Sequence, residues 1–181
     1  MSNPKTFILP IAGLLSGTLA AWVYTGDSFL SSLLFFGVPG TIFAIFITIG
    51  IYLAYSGKKR HWAVPLFLII SPLGYAVSFW GVLLLADNTP GIIVFFIAGL
   101  AGGAIMLMGL KILVSIKWLD ILILAILAGL LGWVAIKFDQ TIIQNRNYSA
   151  ENIDESGLYI LHILWNTTMA FFIARLLIKK D

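Results

Sequence analysis

The chain contains no cysteine, which excludes a disulfide framework, a thiolate zinc site, thiol redox chemistry and a palmitoyl anchor. Charge is scarce as well. Only 10% of the 181 residues are charged, against roughly 25% in a soluble domain that must cover its surface, so an ordinary water-soluble globular protein is excluded. There are two histidines, His61 expected in the inner loop and His162 in the outer half of the membrane, and their separation argues against a shared metal or a haem held between them. The chain has no Gly-x-Ser-x-Gly elbow, no His-Glu-x-x-His pair, no phosphate loop and no dinucleotide fingerprint. No carboxylate falls at the middle of an apolar run, which weighs against a proton- or sodium-coupled pump. The sequence therefore predicts no catalytic activity, no cofactor and no metal.

What is present is lipid-soluble: 60% of residues are hydrophobic and 14% aromatic, with 17 glycines. A charge at mid-bilayer costs about 2.5 to 3.5 kcal/mol even on the lenient insertion scale, so spans run from charge to charge. Six stretches qualify, at about residues 7–24, 30–55, 62–86, 91–110, 118–138 and 153–178. Each is near the ~20 residues a helix needs to cross the hydrocarbon. In the fifth, Asp120 and Lys137 lie just inside the ends and can snorkel. The first follows Lys5 and ends in small residues, as a secretory signal would, but its apolar stretch is longer than a signal core and is read as a span. The expected fold is all-α, a single polytopic membrane domain of six transmembrane helices over residues 1–181.

Orientation follows from lysine and arginine. Lys5, Lys58, Lys59, Arg60, Lys111, Lys117, Arg175, Lys179 and Lys180 fall on one face, and only Lys137 and Arg146 on the other. Both termini are thus expected in the cytoplasm, with the chain in a bacterial cytoplasmic membrane. Asp27, Asp87, Asp139, Glu151, Asp154 and Glu155 fall outside, so the net charge of +3 combines a basic inner face with an acidic outer one. Cations at this density suit anionic lipid and not nucleic acid.

Local signals support the boundaries. Thr89-Pro90 reads as a cap followed by a first-turn proline, Asn152 and Glu155 resemble a capping box, and Asp27-Ser28 can cap the second helix. Two helices carry proline, in Gly37-Val-Pro-Gly40 and Ser71-Pro-Leu-Gly74, and each proline frees a carbonyl that needs a donor within the membrane. Small residues recur at helical spacing as Gly13, Gly17 and Ala21, as Gly99 and Gly103, and as Ala125, Gly129 and Gly132. Such stripes let helix backbones approach closely; the partner helix can belong to this chain or to another. Pro39-Gly40, Pro90-Gly91 and the acids after each odd helix hint at three related hairpins, a pattern that chance explains equally well.

The tryptophans point to a site. Trp22, Trp62 and Trp118 fit interfacial belts, whereas Trp80, Trp133 and Trp165 fall roughly 9 to 12 Å below the outer surface at 1.5 Å per residue. At the same depth Tyr159, His162 and Asn166 share one face of the sixth helix, extended by Met169, and that face should avoid lipid. Lys137 is one turn from Trp133. Trp80, Trp133, Lys137, Tyr159, His162, Trp165 and Asn166 are therefore the candidate ligand-binding set, an outward-opening aromatic pocket with a few polar groups; a packed interhelical hydrogen-bond network explains the same residues. The polar stretch 139–156 is expected as an outer loop able to cover the pocket, and its Asn147-Tyr-Ser149 is formally a glycosylation sequon.

Size, six helices, cytoplasmic termini and the outer aromatic cluster resemble the substrate-binding S-components of energy-coupling-factor vitamin transporters. That resemblance implies a small-solute binding and transport subunit partnered by a second membrane subunit and a cytoplasmic ATPase pair. In that family a small-residue stripe on the first helix docks the coupling subunit, and Gly13-x-x-x-Gly17-x-x-x-Ala21 is similar in kind. The alternative from another class is a structural or pore-forming subunit, homo-oligomeric or part of a larger membrane complex, with the polar face of the sixth helix as a contact or pore lining.

Overall fold

Backbone in apolar surroundings must satisfy its amides internally, and long apolar runs do so as helices. The computed structural model describes residues 7–23, 37–55, 59–85, 91–144 and 155–178, of which the side chains at 23, 79, 82, 83, 91, 92, 135–144, 155–161 and 178 lie outside the description. Among the described residues six helices form: α1 (Ile8–Val23), α2 (Gly37–Ala54), α3 (Val64–Leu85), α4 (Gly91–Leu113), α5 (Trp118–Gln144) and α6 (Glu155–Ile178). A 3-10 turn, His61–Ala63, leads into α3. The described residues contain no strand, only an isolated bridge between Lys59 and Val114. The protein is all-helical. Three segments, Gly37–Ala54, His61–Ser78 and Ile93–Leu113, are long and apolar enough to cross a membrane; Ile8–Trp22 and Trp118–Val134 are shorter apolar helices.

Two boundaries differ from those expected. At 27 residues α5 is the longest helix: it runs on to Gln144, so Asp139 to Gln144 are helical and not loop. Neither glycine nor proline interrupts this stretch, so nothing stops the helix where the apolar run ends. Helix α4 likewise passes Lys111 and ends at Leu113. Pro39 is the third described residue of α2, and Pro72 lies inside α3. The expected caps at Asp27-Ser28, Thr89-Pro90 and Asn152, and the loop positions 145–154, lie outside the described residues.

Each helix packs on its neighbours in chain order and α6 returns to α1, so the six close into a ring. The closure follows from where side chains are missing. A Cβ on Gly13 would lie 2.5 Å from both Ala170 Cβ and the Asn166 carbonyl oxygen, and one on Gly17 2.7 Å from Ile163 Cα. Only glycine lets α1 come this close to α6. Gly40 abuts Pro72 across the α2–α3 seam, Gly74 abuts the Gly102 carbonyl across α3–α4, and Gly99, Gly129 and Gly132 press α4 and α5 together. These pairings run in opposite directions along adjacent helices, so the ring alternates up and down. The α5–α6 seam is the loosest between chain neighbours. Phe43, Ile47, Met106, Leu110, Met169 and Ile173 fill the interior, while Ile11, Leu15, Leu53, Ile69 and Leu122 are exposed on the outer wall.

At one end of the ring the α2–α3 and α4–α5 connections are joined: Arg60 N–H donates to the Leu113 carbonyl at 3.0 Å beside the Lys59–Val114 bridge. Gly50 near the end of α2 meets Leu9 at the start of α1, and α6 runs antiparallel to α1. The start of α1 and the end of α6, with Arg175, therefore share this end. It is called the basic end below.

Candidate functional site

A polar group inside a low-dielectric packed interior must find a partner or carry a desolvation cost of a few kcal/mol. Asn166 on α6 is fully buried, and its two ends are both satisfied. The Tyr75 hydroxyl on α3 donates to Asn166 Oδ1, and Asn166 Nδ2 donates to Ser16 Oγ on α1 at 3.3 Å. Ser16 Oγ in turn donates to the Gly13 carbonyl at 2.9 Å. One amide thus ties three helices that are not consecutive in the chain. The 16-versus-166 spacing works only because Gly13 and Gly17 bring α1 against α6.

Aromatic rings surround this chain of hydrogen bonds. His162, one turn from Asn166, stacks on the Tyr75 ring with centroids 6.1 Å apart and planes 19° apart. Trp165 meets Tyr75 edge-on at 5.3 Å and Phe43 of α2 at 5.8 Å. Gly103 of α4 lies opposite, where an added Cβ would touch the Trp165 ring at 4.0 Å. Trp165 therefore reaches across the ring from α6 toward α2, α3 and α4. At ~1.5 Å per residue, Tyr75 stands about 16 Å from the start of α3 and Asn166 about 18 Å from the end of α6, both measured from the basic end. That is near the middle of the bundle.

Other hydroxyls tie adjacent helices. Ser71 Oγ donates to the Gly40 carbonyl at 2.9 Å, and Ser78 Oγ to the Ala98 carbonyl at 2.8 Å. The two proline-containing segments meet here, with Gly40 against Pro72. Each such interhelical bond contributes about 0.6 kcal/mol on average in membranes.

Of the candidate ligand set, the structure brings together His162, Trp165 and Asn166, with Met169 buried below them. Trp80 and Trp133 do not join them: they are 48% and 38% exposed and stand on the outer wall. By the helix rise they stand about 24 and 22 Å from the basic end. Their direction differs. Trp22, also exposed, lies at about 21 Å by the same rise, and the three form one outer belt, with Trp62 and Trp118 at the basic end. The side chains of Lys137 and Tyr159 lie outside the described residues.

Sequence reasoning passed over Tyr75, Ser16 and Phe43. Two of them carried a signal, Phe43 none: Tyr75 directly follows the Ser71-Pro-Leu-Gly74 segment, and Ser16 is the polar member of the Gly13–Gly17 stripe. The packing residues fall on seams within the chain. Gly13 and Gly17 face α6, Gly99 and Gly103 face α5, Gly129 and Gly132 face α4, and Ala21 is buried. The first-helix stripe is thus covered by the chain's own sixth helix.

Chemically, the cluster offers an amide, a phenol, an imidazole and an indole within a few ångströms of one another. The amide is engaged at both ends, by the Tyr75 hydroxyl and by Ser16. The described residues contain no group of three metal-ligating side chains. No protein-family model, no curated protein and no solved structure matches this chain.

Proposed function

We propose that this chain is an integral membrane protein of six spans, with its basic end and both termini in the cytoplasm, acting as a small-solute binding and transport subunit. Membrane insertion is supported by the apolar outer wall and by three helical segments long and apolar enough to cross a membrane. The solute reading rests on one observation. Tyr75, His162, Trp165 and Asn166 converge from α3 and α6 inside the ring at mid-height, the level at which transporters place their sites. Trp165 and the Tyr75 ring would stack a flat solute, while the Asn166 amide and the imidazole would fix its orientation. Entry is from the end opposite the basic face, past His162.

The test is a titration of the purified chain with a panel of flat heteroaromatic, vitamin-like solutes, read by tryptophan fluorescence. A binder at micromolar concentration is expected to quench wild type. Trp165→Phe is expected to remove most of that quenching, and Trp22→Phe to leave it unchanged. Quenching lost only in Trp22→Phe would contradict the mid-height site.

One observation favours the second reading, a structural subunit: Asn166, Tyr75 and Ser16 satisfy one another, as a packed tie between helices requires. On that reading the panel yields no binder. The internal placement of the glycine stripes leaves neither a homo-oligomeric contact nor a first-helix dock for a coupling subunit supported by those residues, so any partner subunit would use another face.

A further inference from the structure

The basic end carries side chains that neither the packing nor the proposed solute site uses. Lys59 and Arg60 are joined to the end of α4 by the Lys59–Val114 bridge and by the Arg60 N–H to Leu113 bond at 3.0 Å. The Arg60 guanidinium also donates from Nη1 to the Ile112 carbonyl at 3.4 Å. From the other side of this junction Lys111 Nζ donates to the Ile116 carbonyl at 2.5 Å and sits 4.5 Å above the Trp118 ring. Lys59 lies 5.3 Å over Tyr52, whose hydroxyl is 2.6 Å from His61 Nδ1. Lys117 is exposed beside them. Carbonyls and rings therefore hold these cations in place, and among the described residues no carboxylate pairs with them. Each guanidinium or ammonium keeps N–H donors to spare. Trp62 and Trp118, both 65% exposed, flank the junction at the level where indoles lie among headgroups.

We propose that the junction of the α2–α3 and α4–α5 connections binds the phosphate of an anionic phospholipid, with Arg60, Lys111 and Lys117 as its donors and Trp62 and Trp118 against the upper acyl chains. Charge complementarity commits the site to an anionic headgroup, and the flanking indoles commit it to a lipid instead of a soluble anion. A lipid held there would bridge the two connections, which otherwise meet through one bridge and a few hydrogen bonds. The inference shares membrane insertion with the proposed function and is independent of solute binding.

Native mass spectrometry of the full chain, titrated with phosphatidylglycerol or with phosphatidylcholine of the same acyl chains, tests it. Phosphatidylglycerol is expected to bind at least about tenfold tighter. Arg60→Gln, Lys111→Gln and Lys117→Gln should each lower its affinity roughly fivefold, the effect of one basic residue near an anionic surface, while Arg60→Lys retains it. Equal affinity of wild type for the two lipids would overturn the proposal, whatever the variants do. Displacement of phosphatidylglycerol by millimolar inorganic phosphate would also overturn it, by assigning the site to a soluble anion. Binding of phosphatidylcholine alone would leave membrane insertion standing while sinking the lipid site.

Discussion

Gly13→Leu is expected to prevent the ring from closing. The first atom of the new side chain would fall 2.5 Å from the Asn166 carbonyl oxygen and from Ala170 Cβ. The former is backbone within a helix and cannot step aside, so α1 must move outward. Overpacking of this kind costs about 1–3 kcal/mol in a soluble core, and here the displacement also breaks the Ser16–Asn166 bond and exposes a buried amide. We expect loss of the monodisperse folded species in mild detergent and a loss of more than about 3 kcal/mol in a reversible denaturation assay. Gly81→Ala is the matched comparison. Nothing lies within 4 Å of a Cβ there, so it should be neutral or stabilising by up to ~1 kcal/mol through helix propensity. If the two substitutions behaved alike, the α1–α6 approach would be wrong.

The second large effect is expected at Asn166. Asn166→Leu leaves the Tyr75 hydroxyl without its acceptor inside the bundle, and Tyr75→Phe leaves Asn166 Oδ1 without its donor. Each single change should cost about 1–3 kcal/mol, the desolvation cost of an unpaired buried polar group. The double substitution Tyr75→Phe/Asn166→Leu should cost less than the two singles added, with a coupling of about 1 kcal/mol, inside the range measured for hydrogen bonds between membrane helices. A double-mutant cycle in a reversible unfolding assay measures the coupling directly. Additive losses would mean that the two side chains do not meet. Solute binding, where the proposed panel finds it, should be lost in Asn166→Leu because the amide that orients the ligand is gone.

These two sites also show what the sequence could and could not say. Height along a helix is a matter of counting residues from a charged boundary, which puts Trp80, Trp133 and Trp165 near one level. Direction around the helix needs a contrast between faces. In α3 and α5 the apolar residues run all the way round, so no stripe marks the inward side. Trp80 and Trp133 face outward, and nothing in their neighbours announced it. Helix α6 did carry a contrast: Asn166 and His162 cannot economically face lipid, and the face they define is the one turned inward. The same logic, applied to Ser16 within a glycine stripe, marks that face as inward without naming its partner helix. Helix ends were less legible than helix middles. The run from Asp139 to Gln144 is polar enough to read as loop, yet it contains no residue that terminates a helix, and α5 continues through it.

The closure of the ring depended on pairs that no local pattern reveals. A small-residue stripe states that some backbone comes close, without naming it. Gly13 and Gly17 meet the helix most distant from them in the chain, and only the three-dimensional arrangement shows that the stripe is already occupied. This bears on partner choice as well: a surface that looked available for docking in the sequence is internal in the fold.

The central claim is a bilayer-embedded ring with Trp165 inside and Trp22, Trp80 and Trp133 on its lipid-facing wall. Single-tryptophan versions of the chain, with the other indoles replaced by phenylalanine, can be reconstituted in vesicles carrying bromines along the acyl chains. Strong quenching of Trp80 and Trp133 with little quenching of Trp165 is the expected result. Quenching of Trp165 equal to that of Trp133 would contradict the inward cluster, and quenching of none of them would contradict insertion in the bilayer.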